Sequence, residues 1–274
     1  MRRNNQPGRR TRRPYNVMVA ILMTASIGVA AQGPPGGRGA QPPRTPRAAA
    51  PVDFTGYWVS VVTEDWRWRM VTPARGDFAG VPLNAAARKI GQAWDPAKDE
   101  AEGNQCKAYG AAGIMRVPGR LRITWQDDTT LKIETDQGIQ TRLLHFGGKP
   151  EPGTKPSWQG YSSANWEGPQ RGSGPPDFTP IALNPREGTR GRSLEVVTTN
   201  LRAGYLRKNG VPYSENTIVR EYFDLSNERD GDTWFVVTTI VEDPTNLTQP
   251  FVTSTNFKKQ PDASRFAPTP CSVR

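Results

Sequence analysis

Histidine occurs once in this sequence, at His145, and cysteine twice, at Cys106 and Cys271. A single imidazole cannot build a multi-histidine metal site, and a Ser/His/Asp triad would have to use this one residue. Neither cysteine stands in a CxxC or beside the histidine, which removes the redox and zinc motifs. Phosphate loops and dinucleotide fingerprints are also missing, so no metal and no cofactor are expected. Acidic residues are absent before Asp53, and that absence locates the charge. Of the net +10, nine charges are arginines between Arg2 and Arg47, which leaves +1 for residues 52–274. A nearly neutral domain lacks the basic face that nucleic-acid binding needs, so no nucleic-acid partner is expected.

What is present begins with an export signal. A basic stretch over 1–16 precedes the apolar run Val17–Ala31, too short for a membrane span, and Val29, Ala30 and Ala31 offer small residues for cleavage. Residues 1–31 are read as a signal peptide, and membrane contact is expected only through it. Thr11-Arg12-Arg13-Pro14-Tyr15 resembles the twin-arginine pattern, and an ordinary Arg-rich secretory signal fits equally. Either route predicts the periplasm or the exterior. Residues 32–51, rich in Pro, Gly and Ala, are expected to be a disordered spacer, and 52–274 one domain. In an oxidising compartment Cys106 and Cys271 are predicted to form a disulfide, which at so long a separation stabilises by roughly 4–5 kcal/mol in the chain-entropy model.

An apolar fraction of 35% is low, but 8 Trp, 7 Tyr and 9 Phe supply large buried surfaces. Period-two alternation with β-branched and aromatic residues marks about eight strands, at 54–63, 120–126, 130–135, 139–146, 193–201, 217–225, 233–242 and 251–258. Leu121, Ile123 and Trp125 share one face, and Asp127-Asp128 and 227–232 provide turns. The predicted fold is all-β: an antiparallel up-and-down, lipocalin-like barrel of about eight strands. One short helix is expected over 84–94, capped by Asn84, with Leu83, Ala87, Ile90 and Trp94 on its buried stripe and Asp95-Pro96 ending it. Residues 168–192 read as a long inserted loop.

Gly56-Tyr57-Trp58 is similar to the Gly-x-Trp that opens lipocalin-like barrels, where the Trp closes the floor beneath a ligand cavity. Most of the chain after residue 52 also resembles a group of exported bacterial proteins of largely unassigned function. The resemblance rests on Trp158-Gln159-Gly160 through Asn165-Trp166-Glu167-Gly168, on Leu194–Thr199, and on Gly210-Val211-Pro212-Tyr213-Ser214-Glu215. Glu221 with Phe223, Glu242-Asp243-Pro244 and Pro250-Phe251 extend it. The chain departs from that group in its 168–192 insertion and in carrying His145-Phe146-Gly147-Gly148 where an acidic turn is expected.

Several residues could carry chemistry. His145 is either a strand-end imidazole in partial solvent or, if its face lines a cavity, a general acid or base. Gly160-Tyr161-Ser162-Ser163-Ala164 resembles a nucleophile elbow without the helix it requires. Glu167, Glu221 and Asp243 either pair with arginines such as Arg116, Arg142 and Arg220 or form an acid/base cluster at the barrel mouth. Trp66 and Trp68 share a face of an extended segment, as core or as a stacking surface. With Trp58, Trp166 and Tyr213 they are the expected ligand contacts.

The leading expectation is an exported barrel that holds a small apolar molecule inside. A cofactor-free lyase, isomerase, cyclase or hydrolase using His145, Glu167, Glu221 and Asp243, with Arg142 or Arg220 polarising its substrate, is the rival. A cell-envelope interaction protein is the third.

Overall fold

Alternating inner and outer side chains close a ring of strands, as the period-two pattern requires. In the computed structural model residues 44–167 and 193–273 are described; the expected signal peptide 1–31, the expected spacer up to residue 43 and the expected inserted loop 168–192 lie outside them. The strands are β1 (Gly56–Val61), β2 (Arg120–Trp125), β3 (Thr130–Thr135), β4 (Gln137–Gly138), β5 (Thr141–Phe146), β6 (Tyr161–Trp166) and β7 (Leu194–Thr199). They continue as β8 (Gly204–Arg207), β9 (Val211–Tyr213), β10 (Ile218–Asn227), β11 (Thr233–Glu242), β12 (Phe251–Gln260) and β13 (Thr269–Pro270). The helices are α1 (Trp66–Arg69), α2 (Ala85–Gln92) and α3 (Pro96–Ala101), followed by 3-10 turns at Gln105–Tyr109 and Ile114–Arg116.

Among the described residues, nine strands form a closed barrel in the order β1-β12-β11-β10-β7-β6-β5-β3-β2. The all-β barrel expected from the sequence is therefore present, with two differences. A ring can reverse direction at every step only with an even number of strands, so nine strands force a parallel pair, which is β5 with β6. The additional strand is β6, whose YSSANW lacks β-branched residues and whose inner positions are the small Ser162 and Ala164. A parallel neighbour needs a long return, and residues 147–160 supply it.

The register places Val61, Arg120, Thr135, Thr141, Tyr161, Thr199, Ile218, Glu242 and Phe251 at one end, the mouth. The other end, the floor, is shut by aromatic rings: Phe54 stacks on Trp166 at 6.1 Å, and Phe223, Phe235 and Phe257 follow edge to face or stacked. Each such ring contributes roughly 1.5–3 kcal/mol of burial. The last residues assigned to the spacer are among the described ones. Pro46 accepts a bond from Trp166 Nε1 at 2.9 Å and the Arg47 amide donates to Asp128 at 3.1 Å, so residues 46–47 are tied to the barrel floor.

The mouth is stoppered. Ala108, Tyr109, Ile114 and Met115, from the 3-10 turns, join the same apolar cluster as Trp58, Leu121, Ile123 and Ile133 from the barrel wall. Cys106 and Cys271 form the predicted disulfide, with Cα atoms 5.2 Å apart, so this plug is bonded to the C-terminal segment whose β13 pairs with β4. Gly138, at φ 79°, lies against the Tyr109 ring, where a Cβ would come within 2.4 Å. Above the plug a second cluster of Phe78, Leu83, Leu206, Val211, Tyr213 and Phe251 forms a cap.

The helical expectation holds at its start: Asn84 Oδ1 accepts from the Ala87 amide at 2.9 Å, and Leu83, Ala87 and Trp94 are buried. Ile90, however, is exposed. α2 ends at Gln92, before the expected Asp95-Pro96, which instead begins α3: Asp95 Oδ1 accepts from Ala97 N at 3.0 Å and proline fits a first helical turn. Trp66–Arg69 is a helical turn rather than an extended segment, so Trp66 and Trp68 point in different directions.

Candidate functional site

Between the two apolar clusters lies a polar belt inside the barrel. Arg142 of β5 and Glu221 of β10 face each other across it, with Nη2–Oε2 at 2.6 Å and Nη1–Oε1 at 3.2 Å. Arg142 Nη2 also donates to Thr198 Oγ1 at 3.3 Å, and Thr198 shares a 2.7 Å bond with Ser162. Both charged side chains are almost wholly buried, at 1% and 0% exposure. Ser162 is thus a barrel-wall hydroxyl on a strand and not a nucleophile on an elbow.

A cleft opens beside the plug, where α1, the Ile114–Arg116 turn and β8 meet. It has a volume of about 40 Å3 and is lined by Trp68, Val71, Pro73, Val117, Pro118 and Leu206 together with Arg69, Arg116, Arg207 and Lys208. No carboxylate lines it. The local fold explains the arginines. Asp65, in the left-handed region at φ 50°, turns the chain after β1 into α1. Arg69 then reaches back to donate to Arg116 O at 2.9 Å and to Ser60 Oγ at 3.1 Å, and it pairs with Glu64. Arg116 donates to Asp65 Oδ2 at 2.9 Å, its guanidinium 5.6 Å from the Phe251 ring centre. Arg207 lies 5.2 Å from the Trp68 ring centre and donates to Ala79 O at 2.8 Å.

Arg207 has no ion-pair partner among the described residues, and its Nε and the Nη1 of Arg116 are buried without an acceptor. Burial, then the nearby charge of Arg116, pushes the Arg207 pKa down to about 10, against the pull of Asp65 and Asp77. Burial likewise lowers Arg69, opposed by Glu64. A guanidinium that sheds water without gaining an anion is an unfinished electrostatic arrangement.

The residues expected from the sequence separate. His145 is on the outer wall: β5 turns Arg142 and Leu144 inward, and the imidazole stacks on Tyr161 at 4.8 Å. Arg220 faces outward and bonds Glu195 at 2.6 Å. Glu167 follows β6 at the floor, its amide donating to Ser193 O at 3.0 Å. Asp243 organises the β11–β12 turn by accepting from the Ser214 amide and hydroxyl, Thr245 N and Asn246 Nδ2. Only Arg142 and Glu221 meet, so the six do not form one acid/base cluster. Among the aromatics, Trp68 lines the cleft, whereas Trp66, on the same helical turn, is exposed and is not part of the lining. Trp58 is interior, with Nε1 donating to Phe54 O at 2.9 Å; Trp166 belongs to the floor and Tyr213 to the cap.

Arg69 and Arg207 are the cleft residues that sequence reading passes over, because they lie far apart in the chain and meet only through the plug. One signal was available for Arg116: it interrupts the apolar Gly113-Ile114-Met115 run just before Val117-Pro118. Among the described residues, no group of three or more His, Cys, Asp or Glu gathers to hold a metal, and no helix is long and apolar enough to cross a membrane.

Fold and cleft together define a class: a stoppered β-barrel of mixed strand direction with a small cationic and apolar mouth. No family model, no curated protein and no solved structure matches the chain.

Proposed function

We propose that this protein is an exported barrel that binds one small, largely apolar molecule, held at the stoppered mouth and not along the barrel axis. The observation that carries the reading is the exposure of Trp66, Met70 and Val71, at 65%, 60% and 65%, on and just after α1, whose Trp68 and Arg69 line the mouth cleft together with Val71. Most exposed apolar residues stand singly; a cluster at a concave site marks a contact surface. The apolar cluster shared by the plug and the barrel wall favours the mouth as the location, and the scattering of His145, Glu167 and Asp243 favours binding over acid/base catalysis. The basic and apolar segments within 1–31 support export, and the disulfide suits an oxidising compartment.

The same exposed residues support a second reading, a cell-envelope interaction surface. The two part in a titration of dialysed protein with uncharged apolar probes such as N-phenyl-1-naphthylamine. Ligand binding predicts saturable quenching of tryptophan emission that weakens in the Trp68→Phe variant. No saturable quenching with any probe overturns the small-ligand reading and leaves these residues to a protein partner.

A further inference from the structure

We propose that the mouth cleft is an oxyanion site: Arg116 and Arg207 hold the carboxylate or phosphate head of a ligand whose apolar body lies on Trp66, Met70 and Val71. This rests on the mouth-binding reading and names the ligand's chemistry.

Three observations carry it. First, the cleft lining holds four cationic side chains and no carboxylate. Glu64 and Asp65 answer Arg69 and Arg116 from beside the cleft, and Arg207 is left without an ion-pair partner among the described residues. Second, Arg116 and Arg207 are each only 6% exposed, yet each keeps a buried N–H donor with no acceptor. Protein interiors rarely tolerate such donors, so the protein leaves part of the hydrogen-bonding capacity of both guanidinium groups unused, and an oxyanion with several lone pairs can accept from two such groups lining one cleft. Third, the size fits a head group. About 40 Å3 is well below a whole drug-sized ligand and close to what a few waters or one carboxylate would fill, on the order of 10–15 Å3 per water position. An apolar body attached to that head must therefore leave the cleft, and of the exposed apolar residues Val71 is in its lining while Met70 precedes it in the chain.

Aromatic rings keep the site poised without an anion. Arg207 stands over Trp68 and 5.9 Å from Phe251, which also carries Arg116, so the two cations share one ring and are held near each other despite their repulsion. Bound anion would relieve that repulsion and draw Arg207 off the Trp68 face.

The test is calorimetric titration of the intact exported chain with a matched series: decanoate, its methyl ester, and decyl phosphate. Wild type is expected to bind decanoate or decyl phosphate at least tenfold more tightly than the ester. The advantage should fall below threefold in Arg207→Gln and survive in large part in Arg207→Lys, which keeps the charge should the glutamine variant fold poorly. The tighter of the two anions identifies the head group. Equal affinity for acid and ester overturns the oxyanion site while leaving the apolar reading intact. Failure of all three ligands to bind overturns both.

Discussion

Replacing Arg142 by methionine should cost a large share of this protein's stability, whereas replacing it together with Glu221 should cost little. The two side chains form a two-bonded pair buried at 1% and 0% exposure, and Arg142 also holds Thr198. Without the guanidinium the Glu221 carboxylate stays buried inside the barrel, flanked by its register partners Thr239 and Val196. Removing one member of such a pair costs about 3–5 kcal/mol, and replacing both by apolar groups of similar volume is often neutral or stabilising. For a domain of this size each kcal/mol moves the midpoint by about 2–4 °C, so Arg142→Met should lower Tm by roughly 6–20 °C. Glu221→Leu added to Arg142→Met should recover most of that. Guanidinium unfolding followed by tryptophan emission measures both, provided the slope is unchanged. A single substitution costing under about 1 kcal/mol, or a double variant as unstable as the two singles summed, would refute the view that the pair stabilises only as a pair.

Three other outcomes follow from the geometry. Cys106→Ser with Cys271→Ser frees the plug from the C-terminal segment and should cost at most about 5 kcal/mol, read as a lower denaturation midpoint that reducing agent also produces in wild type. Asp243→Ala leaves up to four donors unanswered and should cost about 2–4 kcal/mol. Burial pulls the Asp243 pKa up, but the bonds from Ser214, Asn246 and Thr245 outweigh it and hold the group below its ordinary 3.8. Its stabilising contribution is therefore complete above that value and is lost as pH falls through the folded one, an acid-limb loss that Asp243→Asn should flatten. His145 gives one imidazole signal, and burial, opposed by Asp127, should place its titration below 6.5. The unfolded state then takes up the proton more readily, so its contribution is full above 6.5 and fades as pH falls through the folded value; an NMR titration midpoint above 6.5 would contradict the half-buried stacking on Tyr161.

Strands with strong alternation were legible. Leu121 and Ile123 face inward as their spacing demands, and the 227–232 turn joins β10 to β11. β6 was not, because its inward positions are Ser162 and Ala164 and its partner β5 runs parallel, a relation that local pattern does not encode. Trp66 and Trp68 misled because a spacing of two reads as a strand, while the left-handed Asp65 sends the chain into a helical turn. At the candidate site, the pairing of Arg142 with Glu221 was foreseeable from charges on inward-facing strand positions. The Arg69, Arg116 and Arg207 cluster was not, since it depends on a plug whose 3-10 turns have no periodic signature.

The mouth-binding account is tested most directly by photolabelling with a diazirine-bearing apolar carboxylate, followed by mass mapping of the labelled peptides. It predicts label on residues 66–73, 113–118 and 206–208, competed away by excess unmodified carboxylate. Label concentrated on the inward strands 219–225 and 235–241, or label that competitor does not reduce, would contradict it.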